Sequence, residues 1–257
     1  MVEFDGAGFS GWQRQAQGER TVQGVLEAAW ANLPGVHGSL LGAGRTDAGV
    51  HALAMVAQVD TTSPLLDGKL RLALNAHLPP DVSVIDVTTR PPGFQVQYDC
   101  LYRRYLYRMR VVRDDPRGLA VNRNRVLGVY SELDVAAMRS ACGALLGRHD
   151  FSALATQETR STVREVYLCD LRDERGELRL HIAADGFLRN MVRAIVGTLL
   201  WVGTGRLRAA EVADILAARD RARAGHNVAP HALYFVEAGY EPWDAGVSER
   251  RVAGLVV

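Results

Sequence analysis

Lysine is almost missing from this chain: Lys69 is the only one among 30 basic residues, and the rest are arginine. Cysteine is scarce as well. Cys100, Cys142 and Cys169 are odd in number, widely spaced and outside any CxxC or Cys/His cluster, which argues against a disulfide framework or a structural zinc. Buried thiols are the simpler reading. No run approaches the ~18–20 apolar residues that a membrane span needs. The opening MVEFDGAGFSG lacks the basic, apolar and small-residue regions of a signal peptide, so a soluble cytoplasmic protein is expected. An excess of charge is absent too, with 30 basic against 29 acidic residues, which by itself argues against a strongly basic nucleic-acid binder. Hydrophobic residues make up 48% of the 257, which excludes a disordered chain or a fibre and leaves room for one large domain or two modest ones.

What is present is arginine in the right places for an anionic partner. Residues 103–125 carry eight arginines against Asp114 and Asp115. Arginine makes forked contacts to phosphate and stacks on bases, which lysine does poorly. The strongest strand signal runs through FQVQYDCLYRRYLYRMRVV at 94–112. Tyr105, Tyr107, Met109 and Val111 fall on one face, and Arg104, Leu106, Arg108 and Arg110 on the other. Two readings stay open: an edge strand with a solvated basic face, or an RNA platform of stacking tyrosines and phosphate-binding arginines.

Around that strand, the pattern predicts a strand end at 2–5, a helix over 21–33 and strands at 36–42 and 52–60. A helix over 67–78 and a strand at 81–89 follow. Residues 113–131 read as a long polar loop. A helix is expected from Ser131 to Gly147, with Asp134 placed as in a weak capping box. TVREVYLCDLR and ELRLHIAA should form a hairpin around DERG. Helices at 188–202 and 209–218 and a last strand in HALYFVEAGY complete the order. Repetition of element types predicts an α+β fold of two similar halves with helices packed on antiparallel sheet. The expected division is 1–98, 99–245 and a tail at 246–257 without clear signal.

Residues 42–52, GAGRTDAGVHA, crowd three glycines with Arg45, Asp47 and His51. The stretch lacks the lysine and the following helix of a phosphate cradle. Metal binding by Asp47 and His51 would need further ligands that the neighbourhood does not supply. A structural turn, with Asp47 bonding nearby backbone, and a single reactive carboxylate both remain.

GRTDAGVHA resembles the signature of the TruA family of tRNA pseudouridine synthases. FDGAGFSGWQRQ, TVQGVLE, ALNAHLPPDVSV, RRYLY, LLGRHDFSA, TVRE, GFLRNMVRAIVG and APHALYF resemble further family segments and follow in the family's order over roughly residues 2–240. The resemblance implies two ferredoxin-like halves with a joined, mostly antiparallel sheet and a cleft between them. It implies isomerisation of uridine to pseudouridine at positions 38, 39 and 40 of the tRNA anticodon stem-loop. It further implies a homodimer that needs neither cofactor nor metal.

By residue match, Asp47 is the nucleophile and Arg193 the arginine that pairs with it. Tyr105 matches the tyrosine that stacks on the target uracil. Arg45 matches the arginine that helps extract the uridine, and Leu233 an apolar residue against the flipped base. Tyr107 reads as core and His51 as loop structure. The family's Phe-His-Ala-Arg run is replaced here by Phe94-Gln95-Val96-Gln97, and its Gly-Leu-Tyr-Leu by Ala232-Leu233-Tyr234-Phe235. Two rival classes are a catalytically silent RNA-binding protein on the same scaffold and a glycoside hydrolase, which would need a second carboxylate facing Asp47.

Overall fold

The computed structural model describes residues 1–35, 39–156 and 161–255. The first three residues of the strand expected at 36–42 lie outside the described residues. In chain order the elements are β1 (Val2–Phe4), α1 (Val22–Trp30), β2 (Leu41–Gly42), β3 (His51–Met55), β4 (Ala57–Gln58), α2 (Asp67–Asn75) and β5 (Val82–Val84). They continue with β6 (Tyr102–Val111), β7 (Leu127–Val129), α3 (Val135–Gly143), β8 (Gly147–Asp150), β9 (Val163–Glu174), β10 (Glu177–Ala184), α4 (Met191–Gly203) and α5 (Glu211–Ala218). Last come β11 (Leu233–Gly239) and α6 (Ala245–Ala253). Among the described residues, no helix is long and apolar enough to cross a membrane.

The chain forms two compact units: Met1–Leu101 with Tyr234–Val257, and Tyr102–Leu233. In the first, the strands run in the order β5, β1, β3, β11. The first three are antiparallel to their neighbours, whereas β11 joins β3 in parallel, Tyr234 opposite His51. All five residues of β3 are buried. Thr21 caps α1 by accepting from the Gly24 amide. The first amides of α1 donate outside the helix: Val22 to the Gly11 carbonyl at 3.2 Å and Gln23 to that of Trp12 at 3.0 Å. Unsatisfied donors at a helix start thereby fix the loop before it. The expected second-half strand HALYFVEAGY thus pairs within the first unit. The segment after Tyr240 is not featureless, since Asp244 accepts from the Val247 amide at 2.9 Å and starts α6.

The second unit is antiparallel from β6 through β10 and β9 to β8, with β7 parallel to β6. The hairpin around DERG is present, and its two turn residues, Arg175 and Gly176, both have positive φ, as a tight two-residue turn demands. Helix α3 spans Val135–Gly143 rather than 131–147: Asp134 and not Ser131 is the cap, accepting from the Ala137 amide at 2.8 Å, and Gly147 already belongs to β8. Two further expectations fail. Strand β6 starts at Tyr102, since Asp99 accepts from the Gln95 amide and folds 95–99 into a turn. The long loop contains β7, whose three residues are too few to register as a pattern.

The arginine face of β6 is neither of the two forms expected. Arg104 is fully buried and Arg108 is only 8% exposed. Arg108, Arg179 and Arg172 stand opposite one another across three strands. Like charges in a row are held by carboxylates: Arg108 donates to both Glu177 oxygens, at 2.8 and 2.7 Å, and Arg179 lies 3.1 Å from Glu177. Burial pushes the Glu177 carboxyl up, but the Arg108 hydrogen bonds and the charges of Arg108 and Arg179 outweigh it and hold it below its ordinary value.

Candidate active site

In the first unit, residues 43–50 link β2 to β3 and carry Arg45 and Asp47. The loop is fixed by backbone bonds on either side of the aspartate. Trp12 donates to the Thr46 carbonyl at 3.0 Å, and Val50 to that of Asp47 at 3.2 Å. Gly49, at φ 81°, donates to Phe9 at 3.3 Å. Gly11 lies against the same stretch at φ 95°; a Cβ there would stand 2.8 Å from the Thr46 oxygen. Gly6, where a Cβ would overlap the Val50 carbonyl, and Gly11 therefore have a purpose that sequence reading missed: they let one loop touch the backbone of another. Trp12 is 1% exposed beneath this contact. Asp47 is half-buried and Arg45 is exposed.

His51 is a loop anchor. Its Nδ1 accepts from the Gly6 amide at 3.0 Å and lies 3.2 Å from Asp5 Oδ1, and the ring stacks on Tyr234 with centroids 4.8 Å apart. It is 3% exposed.

The second unit carries Tyr105, Arg193 and Leu233. Tyr105 stands on β6 opposite Ile182, and the edge of its ring meets Phe187 with centroids 5.0 Å apart. It is 8% exposed. Tyr107, two residues on, is fully buried and donates to the Ala229 carbonyl at 2.8 Å. Burial pushes its phenol far above the ordinary value, and the nearby Arg193 charge pulls weakly the other way. Leu233 is buried at the start of β11.

Arg193 occupies the first turn of α4 and is half-buried. Its Nε donates to the Val228 carbonyl at 2.7 Å and its Nη1 to Asn190 Oδ1 at 2.8 Å. The segment supplying Val228 and Ala229 is held against α4 by two glycines. A Cβ on Gly197 would overlap the His226 carbonyl, and one on Gly225 would overlap the backbone of Gly197. Thr198 Oγ1 accepts from the Gly225 amide at 2.9 Å. Gly197 falls within the quoted GFLRNMVRAIVG, but its task was not legible there.

Among the described residues, no group of three His, Cys, Asp or Glu side chains is placed to hold a metal ion. In the first unit Asp47 carries a carboxylate; in the second, Tyr105 carries an aromatic ring and Arg193 a guanidinium held in a fixed direction.

The sequence pattern of the tRNA pseudouridine synthases matches residues 1–102 and 141–241. Arg45, Asp47, Arg193 and Leu233 lie inside that match and Tyr105 outside it. The chain is 45% identical over 247 residues to tRNA pseudouridine synthase A of Thermus thermophilus, covering 93% of this chain and 95% of the relative. It is 38% identical over 241 residues to the protein of that name from Caldicellulosiruptor bescii (93% and 97% covered). It is 40% identical over 243 residues to that from Afipia carboxidovorans (93% and 98%). The chain belongs to the tRNA pseudouridine synthase family. Within that family it is of the TruA type, and the family's members are isomerases.

Proposed function

We propose that the chain, a tRNA pseudouridine synthase, isomerises the uridines at positions 38, 39 and 40 of the anticodon stem-loop, with Asp47 as nucleophile and without a cofactor. In this reaction the C1′–N1 bond breaks and a C1′–C5 bond forms. N1 gains a proton and C5 loses one to solvent, so the atoms balance without an external reagent. A carboxylate can carry the sugar or the base between the two bonded states. Tyr105 gives the uracil a surface, and Leu233 an apolar neighbour. Arg45 grips phosphate and fills the space left by the extracted base, which offsets part of the few kcal/mol that unstacking costs. Arg193 supplies the cation that pairs with the nucleophile. The enzyme works as a homodimer in the cytoplasm.

The observation that supports this best is the construction of the Asp47 loop. Backbone bonds from Trp12, Gly49 and Val50 hold it on both flanks, so Asp47 is presented by a rigid frame. The test is Asp47→Asn with tRNA carrying 5-tritiated uridine. Release of tritium to water should vanish while tRNA still binds. Substantial release by this variant would sink the assignment.

A further inference from the structure

Asn190 is the residue before α4, and its backbone is left-handed, with φ 61° and ψ 5°. Asparagine tolerates that region better than most residues, though at some cost. At this position an asparagine ordinarily caps the helix by accepting from an amide of the first turn. Here the side chain makes no capping bond. It is turned elsewhere: Oδ1 accepts from Arg193 Nη1 at 2.8 Å, and Nδ2 donates to Thr156 Oγ1 at 3.0 Å. Arginine can only donate, so the amide oxygen must face it, and the amide nitrogen must face the threonine. Thr156 is itself tied down, its amide donating to the Arg189 carbonyl at 3.1 Å. Asn227 Nδ2 approaches the same hydroxyl at 3.4 Å.

The guanidinium of Arg193 is thus gripped along two edges, by Asn190 and by the Val228 carbonyl at 2.7 Å. These two contacts are to neutral acceptors, so they set the direction of the guanidinium without adding negative charge at those edges. We infer that Asn190 is a positioning residue for the isomerisation: it gives up helix capping and accepts a left-handed backbone in order to aim Arg193. Thr156 backs it by fixing the amide. This rests on the role given to Arg193 above.

Asn190→Gly tests it directly, because glycine keeps the left-handed backbone at no steric cost and removes only the side chain. Single-turnover tritium release should fall by about 10- to 100-fold, the loss expected when a reacting group is misplaced by about an ångström. The tRNA dissociation constant should stay within about twofold, because affinity is spread over many phosphate contacts that this change leaves alone. Thr156→Val should show a smaller loss of the same kind, and Thr156→Ser should restore the rate. Arg193→Lys combined with Asn190→Gly should be little worse than Arg193→Lys alone, since both act through one group.

A wild-type rate for Asn190→Gly overturns the inference. So does a parallel loss of rate, tRNA binding and melting temperature, and so do losses that multiply in the double variant. Asp47→Asn, run beside these, separates the two levels. If that variant stays active, the reading of the site fails. If it is dead while Asn190→Gly is normal, only the role of Asn190 fails.

Discussion

Gly197→Ala is a one-methyl change that should damage this enzyme by disturbing the segment that holds Arg193. In an isolated helix the change would stabilise by about 1 kcal/mol, since glycine is a poor helix former. Here the new Cβ would overlap the His226 carbonyl, and that obstacle is backbone rather than a side-chain tip that can swing away. Restoring an ordinary carbon–oxygen contact of ~3.3 Å requires α4 and the 225–229 segment to part by roughly an ångström or more. Overpacking of this kind costs about 1–3 kcal/mol. Separation also strains the 2.9 Å bond from the Gly225 amide to Thr198, worth about 1 kcal/mol. The net expectation is a loss of ~1–3 kcal/mol, at about 2–4 °C of melting temperature per kcal/mol for a chain of this size. Function should suffer more than stability, because the displaced segment carries the carbonyls that hold Arg193 and Tyr107. A thermal melt and a single-turnover tritium assay on the same preparation measure both. A variant that melts at or above the wild-type temperature and turns over normally would refute the argument that this close approach builds the site.

Gly11→Ala should slow turnover at least tenfold with tRNA binding retained, because the methyl would press on the Thr46 oxygen and the residue sits at φ 95°. Single-turnover rate against tRNA affinity separates these. Tyr107→Phe should cost about 1 kcal/mol below pH 10 by leaving the Ala229 carbonyl without its donor. Because the folded phenol is held above its ordinary value of 10.0, the unfolded chain sheds its proton first as pH rises. That part of the stability is therefore full below pH 10 and declines above it, and melts of the two proteins should converge between pH 10 and 11. Glu177→Gln should destabilise by about 2–3 kcal/mol by leaving Arg108 and Arg179 facing each other. The wild-type carboxyl is depressed, so its contribution is present above an ordinary glutamate's pH 4.5 and fades as acid is added, and the variant should lack that slope in acid melts.

The parts legible in the sequence were those with a local cause. DERG makes its hairpin because Arg175 and Gly176 take the turn alone. The helix expected from Thr21 starts there because its side chain reaches an amide three residues on, whereas α3 is capped by Asp134 and not by the expected Ser131. Asp47 and Arg193 stood out only because ordered motifs across the chain resembled a family. What stayed hidden depends on residues far apart in sequence. The arginines of β6 left a solvated edge strand and an RNA platform both open, since His181 beside Arg104 and Glu177 beside Arg108 stand on another strand and are invisible from β6 alone. Gly11, Gly197 and Gly225 carry no local signal of the backbones they admit, because those backbones come from distant segments. Helix α6 carried a capping aspartate, but its mixed polar surface gave no clear period.

The first unit is assembled from both ends of the chain, and this bears on how the protein is made. Strand β3 follows the Asp47 loop and is buried along its whole length, but its partner β11 begins only at Leu233, far later in the chain. Until β11 arrives, β3 is an uncovered sheet edge of apolar residues, the kind of edge that pairs with the wrong chain. A nascent chain stalled before Leu233 holds the intact GRTDAG sequence and all of the second unit, but it cannot complete the sheet that supports the loop. Truncations that remove β11 should therefore aggregate rather than yield a soluble first unit.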